Sequence, residues 1–376
     1  MTTRYAGPGG NDANSGLSWA LRKLTLNGVE DTPVVAGDTV YIGPGTYREM
    51  LTVDVSGTAG NAITYIGDYS GANTDGIGGV VRITGSDNDQ TATRANGVTC
   101  AAQRNYRTFR GFALDMFTGY HITGGLATSG TNWIVERCYL GISDGAAAYG
   151  IVCGGANQAA WTIRNCYFMT GRAQLPVWFY HTADVNNCGH VVENCILIGS
   201  GNSTASAAIM SSNVGGIAVR NSNLYAFGYG VQVAAALAVG QTVTVNNCIL
   251  QAMNIALVAT AVGEIVENYN TIASCTTARS NVSVGANSNA FPPLFDTRWF
   301  FEAVGGGRIL APFDLASYSQ LVNVAGTSPS TTDMRGTAVV GTQREWGALE
   351  YDNTLLIKSA GGGGAVSISP FRGNLG

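Results

Sequence analysis

Between Arg107 and Ile272 the apolar and polar positions fall into one short pattern that keeps returning. Written as octets it reads RTFRGFAL (107–114), WIVERCYL (133–140), WTIRNCYF (161–168), HVVENCIL (190–197), IAVRNSNL (217–224), VTVNNCIL (243–250) and EIVENYNT (264–271). The steps between octets are 26, 28, 29, 27, 26 and 21 residues. A period of this size predicts a solenoid in which each repeat buries its apolar face only against its neighbours.

Each octet position carries its own chemistry. Position three is Phe109, Val135, Ile163, Val192, Val219, Val245 and Val266, apolar and mostly β-branched, which predicts an inward-facing strand. Position five is Gly111, Arg137, Asn165, Asn194, Asn221, Asn247 and Asn268. Asn and Gly tolerate the left-handed backbone region best, so this column predicts a sharp bend between two short strands. Position six (Phe112, Cys138, Cys166, Cys195, Ser222, Cys248, Tyr269) and position eight, nearly always Leu or Phe, point back inside. Stacked about 4.8 Å apart, the columns form ladders along a parallel β-helix. Position four alternates in sign over most of its length, through Arg110, Glu136, Arg164, Glu193, Arg220, Asn246 and Glu267, and predicts cross-coil ion pairs.

Composition narrows the setting. Charged residues are only 12% of the chain, with 51 glycines and little helical periodicity, so one elongated all-β domain is expected. A net charge of −4, with Lys23 and Lys358 as the two lysines, leaves no basic stripe for nucleic acid. Cys138, Cys166, Cys195 and Cys248 share one inward column, where parallel Cβ vectors at strand spacing do not converge to the roughly 3.8 Å of a disulfide. They read as buried free thiols. The segment MTTRYAGPGG shows no signal-peptide pattern and no stretch reaches membrane-spanning length, so a chain folded in a reducing cytoplasm is expected, with no membrane partner.

Residues 4–67 carry a resemblance. RYAGPGGNDANSGLSWA, then AGDTVYIGPGTYREMLTV and SGTAGNAITYIG, resemble the opening segment of the pectate-lyase-like right-handed parallel β-helix superfamily. The resemblance implies a first coil at Gly37–Glu49 and a single-stranded right-handed parallel β-helix over 37–290. Residues 1–36 would form an N-terminal cap with a short helix over Ser18–Leu26, 291–351 a loop-rich closing region, and 352–376 a C-terminal arm. It is specific for architecture and weak for activity, since members include lyases, hydrolases, epimerases and phage tailspikes.

Candidate chemistry is sparse. In the loop 67–79, Asn73-Thr74-Asp75-Gly76-Ile77 matches a catalytic segment of polygalacturonases letter for letter, but that family's Asp-Asp pair is missing. The nearest equivalent of its Gly-His-Gly segment, Gly189-His190-Val191, falls more than 110 residues downstream. Thr131–Glu136 is similar to the W-I-D-H segment of pectate lyases, with Val135 and Glu136 where Asp and His would stand. Both lysines lie outside the ladder, which argues against a lysine base and leaves an arginine base open. The weak catalytic candidates are thus Asp75, Asp87 and Asp89, and with Asp68 they form a candidate Ca²⁺ donor set. Solvated turns account for the same residues. Trp178, Phe179 and Tyr180, in the most apolar intercoil loop, suit stacking on sugar rings or a subunit interface, as do the loop aromatics Tyr120, Tyr149, Phe227 and Tyr229. Val366, Ile368 and Phe371 read as an assembly arm that adds a strand to a neighbour.

The leading expectation is a non-enzymatic structural protein of a phage-like virion, a capsid decoration protein, tail fibre or spike. It would be a homo-oligomer, a trimer by preference, partnered by other virion proteins and by a surface glycan. The alternative is a carbohydrate-active polysaccharide lyase or glycosidase, as in a tailspike depolymerase. A cell-surface adhesin is the third reading.

Overall fold

The computed structural model describes residues 1–291 apart from 33, 101, 126–129, 142–148, 156–158, 171–173, 186–187 and 202–205, plus residue 293 and the backbone of 301–304 and 307–310. The backbone alone is described at 182–185. Most of the closing region and all of the C-terminal arm, with Val366, Ile368 and Phe371, lie outside the described residues.

Three parallel sheets of ten, nine and nine strands wrap around one apolar interior, and neighbours within a sheet come from successive coils. The first sheet runs from Thr3–Ala6 to Ile265–Asn268, the second from Gly45–Tyr47 to Thr271–Ala273, and the third from Leu51–Thr52 to Thr277–Ser280. The register follows the octets: Val135 pairs with Phe109 on one side and Ile163 on the other, and Leu140 with Leu114 and Phe168. A coil cannot bury its own apolar residues, but each is closed above and below by the next. Phe109, Val135, Ile163, Val192, Val219 and Val245 are all essentially inaccessible. One inward stack joins Tyr65 to Phe109, Trp133 and Trp161 at centroid spacings of 5.6, 5.4 and 4.7 Å.

The bend column is left-handed throughout. Its φ values are 79° at Gly111, 53° at Arg137, 55° at Asn165, 52° at Asn194, 49° at Asn221, 57° at Asn247 and 53° at Tyr269. The last value corrects the sequence register. Ile265, not Glu264, pairs with Val243, and Glu267, not Val266, pairs with Val245. Val266 is therefore outside and half exposed, while Glu267 enters the interior column and leaves the outer charge ladder. Its carboxylate is met there by Arg279 (2.7 Å), the Gly285 amide (2.7 Å), Asn270 (2.8 Å) and the Ser288 hydroxyl. Burial favours the neutral acid, but these donors outweigh it and hold the carboxyl below its ordinary pKa.

The opposite end is sealed by a cap. The expected helix over Ser18–Leu26 is instead a short 3₁₀ turn at Trp19–Leu21 followed by an α-helix at Leu26–Asp31, begun by Thr25, whose hydroxyl accepts from the Gly28 amide. Helix side chains stand in for a missing coil: Asn27 accepts from the Thr52 amide, and Glu30 from those of Asp54 and Val55. Glu30 also holds the buried Arg107 (2.6 Å) and the Tyr65 hydroxyl. Burial raises its pKa, and the Arg107 bond and charge, with Tyr65 and the Asp54 amide, bring it down below the ordinary value. Lys23 is also buried, its Nζ donating to the Asp12 carbonyl at 2.6 Å.

All eight cysteines are free. Cys138, Cys166, Cys195 and Cys248 are fully buried in their column, and burial pushes the Cys248 thiol up to about 12 and holds those of Cys138 and Cys166 well above the usual range.

Candidate functional site

The outward side chains on either side of the bend shelter one another. Ile196 and Ile249 face away from the interior, yet are 1% and 2% exposed, so the corner between the first and second sheets is re-entrant. Along it lies a groove of about 550 Å³, within the rough 300–1,000 Å³ range of small-ligand sites. Position four supplies its floor with Arg110, Glu136, Arg164 and Glu193, and position five adds Arg137, Asn165 and Asn194. The end wall is the loop after the strand Ile63–Gly67, with Asp68, Tyr69, Ser70 and Asn73, beside Tyr41 and Ile66. This loop lies so close to the bend that a Cβ on Gly111 would sit 2.7 Å from the Gly67 carbonyl oxygen, which explains why the first octet bends at glycine.

The floor is an ion-pair chain. Glu136 is gripped on both sides, by Arg110 and by Arg164 at 2.6 Å, and Glu193 is held by Arg220 at 2.8 Å. The expected alternation is thereby realised from Arg110 to Arg220. Among the described residues no carboxylate pairs with Arg137, which lines the groove half-buried.

The acidic candidates from the sequence are brought together only in part, and each is engaged by neighbours. Asp68 lines the groove and accepts from the Ser70 hydroxyl (2.7 Å), the Asn73 amide (2.7 Å) and the Thr74 hydroxyl (3.0 Å). Asp75 caps the exposed turn above it, accepting from the amides of Ile77 (3.0 Å) and Gly78 (3.1 Å), which lower its pKa. Asp87 pairs with Arg94 at 2.7 Å, and Asp89 with Arg48 and Arg82, which take its carboxyl down to about 2. Among the described residues no three acidic, His or Cys side chains converge on one point, so Asp68, Asp75, Asp87 and Asp89 are not gathered into one donor set. His190 is buried and its Nδ1 accepts from the Trp161 amide, so it offers no catalytic acid near Asp75.

The aromatic candidates change place. Leu175–Val185 is a strand of the third sheet rather than a loop, and alternation turns Phe179 inward, stacked on His190 at 4.6 Å, while Trp178 and Tyr180 face out. Phe227 is also fully buried. Outside, Tyr120, Tyr149, Trp178 and Tyr180 form a continuous stack with centroid spacings of 5.5, 5.2 and 4.9 Å. Rings that cover one another's faces leave mainly edges for a ligand, so this stripe is foremost a cross-coil ladder.

No family model and no curated protein matches the sequence. Solved polysaccharide lyases share the architecture. Pectate lyase Pel9A aligns at 16% identity with a TM-score of 0.51, over 94% of this chain and 97% of its own. A rhamnogalacturonan lyase aligns at 15% identity with a TM-score of 0.50, over 84% and 97%. The fold is thus the pectate-lyase-like right-handed parallel β-helix, and at these identities the likeness is one of fold.

Proposed function

We propose that this protein is a carbohydrate-binding β-helix that holds a saccharide chain in the groove over the bend without cleaving it. The groove's lining carries the reading: guanidinium groups, side-chain amides, a hydroxyl and two tyrosines are the donors, acceptors and ring faces that a hydroxyl-rich ligand requires. Similar structures, a pectate lyase and a rhamnogalacturonan lyase, support a carbohydrate ligand. Against acid-assisted hydrolysis stands the state of the carboxylates. Glu136 and Glu193 are tied to arginines and Asp68 to its own loop, so none is poised to pass a proton to a leaving group.

Titration of the intact protein with defined oligosaccharides, by calorimetry, tests this. Tyr69→Ala and Asn73→Ala should each weaken binding about tenfold or more. Prolonged incubation should release neither reducing ends nor unsaturated products. Unchanged affinity in both variants would remove the groove from the reading, and released product would restore the lyase or glycosidase.

A second reading keeps the same groove in a virion spike, fibre or decoration protein. The buried free thiols favour it, since they suit a chain folded in a reducing compartment. A spike would use the groove to grip a surface glycan, and a homotrimer would present three. Mass spectrometry of purified particles, with the native mass of the isolated protein, tests that assignment.

A further inference from the structure

We infer that Arg137 is the residue by which the groove selects a saccharide bearing an ionised acid group, a carboxylate or a sulfate ester. The inference rests on the glycan reading above. Two independent observations carry it.

The first is positional. From the second octet to the sixth, the bend column is Arg137, Asn165, Asn194, Asn221 and Asn247, all left-handed. Arginine at φ 53° is disfavoured where asparagine is tolerated. The backbone does not require it, because the Arg137 amide donates to the Arg164 carbonyl (3.2 Å) just as the Asn165 amide donates to that of Glu193 (3.1 Å). A residue that breaks a column while making the column's own backbone bond is kept for its side chain, and disfavoured backbone of this kind gathers at ligand sites.

The second is the charge on the groove floor. Arg110 and Arg164 share the single carboxylate of Glu136, while Glu193 is matched by Arg220. Arg137 pairs with no carboxylate among the described residues, and Asp68 keeps its charge in the end wall under neutral donors of its own loop. The floor itself thus holds three guanidinium groups against two carboxylates, and Asp68 in the end wall brings the lining to three of each, with Arg137 the lining guanidinium that has no carboxylate partner among the described residues. Asn165 and Asn194, the next two residues of the column, line the groove beside it. A planar guanidinium offers two parallel N–H donors, which match a carboxylate or a sulfate edge but gain no such pairing from a neutral hydroxyl.

The experiment compares the wild-type protein with Arg137→Asn and Arg137→Lys against three size-matched probes, an oligogalacturonate, a sulfated galactan oligosaccharide and a neutral cello-oligosaccharide. Wild type should bind at least one acidic probe at least tenfold more tightly than the neutral one, with an affinity that falls as salt rises. Which acidic probe wins decides between carboxylate and sulfate. Arg137→Asn should melt at the same temperature or higher, since it restores the column, yet lose the preference, while Arg137→Lys keeps part of it. An undiminished preference in Arg137→Asn, or equal wild-type affinity for all three probes, overturns the assignment and leaves the groove reading standing. Binding of none of the probes overturns both.

Discussion

Both ends of the solenoid are closed by a buried glutamate and an arginine, but the two closures are built differently. At the N-terminal end Glu30 reaches in from a helix outside the coils and meets Arg107, which occupies the interior column above it. At the other end Glu267 belongs to the last strand of the first sheet, and its partners Arg279, Gly285 and Ser288 come from residues that follow. Glu267 ends the column that runs through Val245, whereas Arg107 stands inside its column, next to Ile63, and reaches from there to the capping helix. The difference lies in dependence. The first closure joins two distant segments of the chain, whereas the second is local and can loosen without the rest.

The largest effect is expected from breaking the first closure. Arg107→Met leaves Glu30 buried without its cation and should cost about 3–5 kcal/mol in denaturant unfolding, with Glu30→Gln/Arg107→Met costing clearly less. If the single and double variants are equally destabilised, the pair is not the seal described here.

Acid should strike in two windows. His121 and His190 are held by burial at about 4 and about 3, below the ordinary 6.5, so the unfolded chain takes up their protons first. Stability is then complete above about pH 6.5 and declines as pH falls, by about 2–3 kcal/mol per histidine near pH 4. Glu30 and Glu267, both lowered, add a further loss only below their ordinary value of 4.5. Stability measured from pH 7.5 to 4 checks the first window, and a flat profile above pH 5 would contradict it.

Glu267→Val extends the apolar column but strands Arg279 and the Gly285 amide. About 1–3 kcal/mol of local stability should be lost, seen as faster hydrogen exchange and proteolysis at 281–289 with little change in global unfolding. The smallest effect tests the bend column. Tyr269→Asn, which gives its last coil the usual residue, should raise stability by about 1 kcal/mol, read from the denaturant midpoint.

Much of the fold was legible because a solenoid repeats its physics. Val135, Ile163 and Val192 announce an inward strand, and Asn165, Asn194 and Asn221 announce the bend, without any distant contact. The last coil misleads because Val266 and Asn268 satisfy both local rules one residue early, while the partners that draw Glu267 inward lie further along the chain. Pro176 gives the strand Leu175–Val185 the look of a loop, although the alternation of Val177, Trp178, Phe179 and Tyr180 was there to read. Of the site, the floor charges were visible only as a stacking ladder. Their role in a groove depends on the loop after Gly67 folding over a bend some forty residues later, which no local pattern encodes. Arg137 was the one visible clue, as the odd residue in the asparagine run.

The burial of Lys23 against the Asp12 carbonyl has a practical side. Lys358 is the chain's other lysine, so nearly all its side-chain positive charge rests on guanidinium groups, the groove's included. Guanidinium stays protonated across the working range of almost any buffer and is not a substrate for lysine acetylation or amine-directed crosslinkers. The groove's cations are thus proof against alkali and acylating reagents alike, and a dicarbonyl such as phenylglyoxal becomes the reagent that would find them.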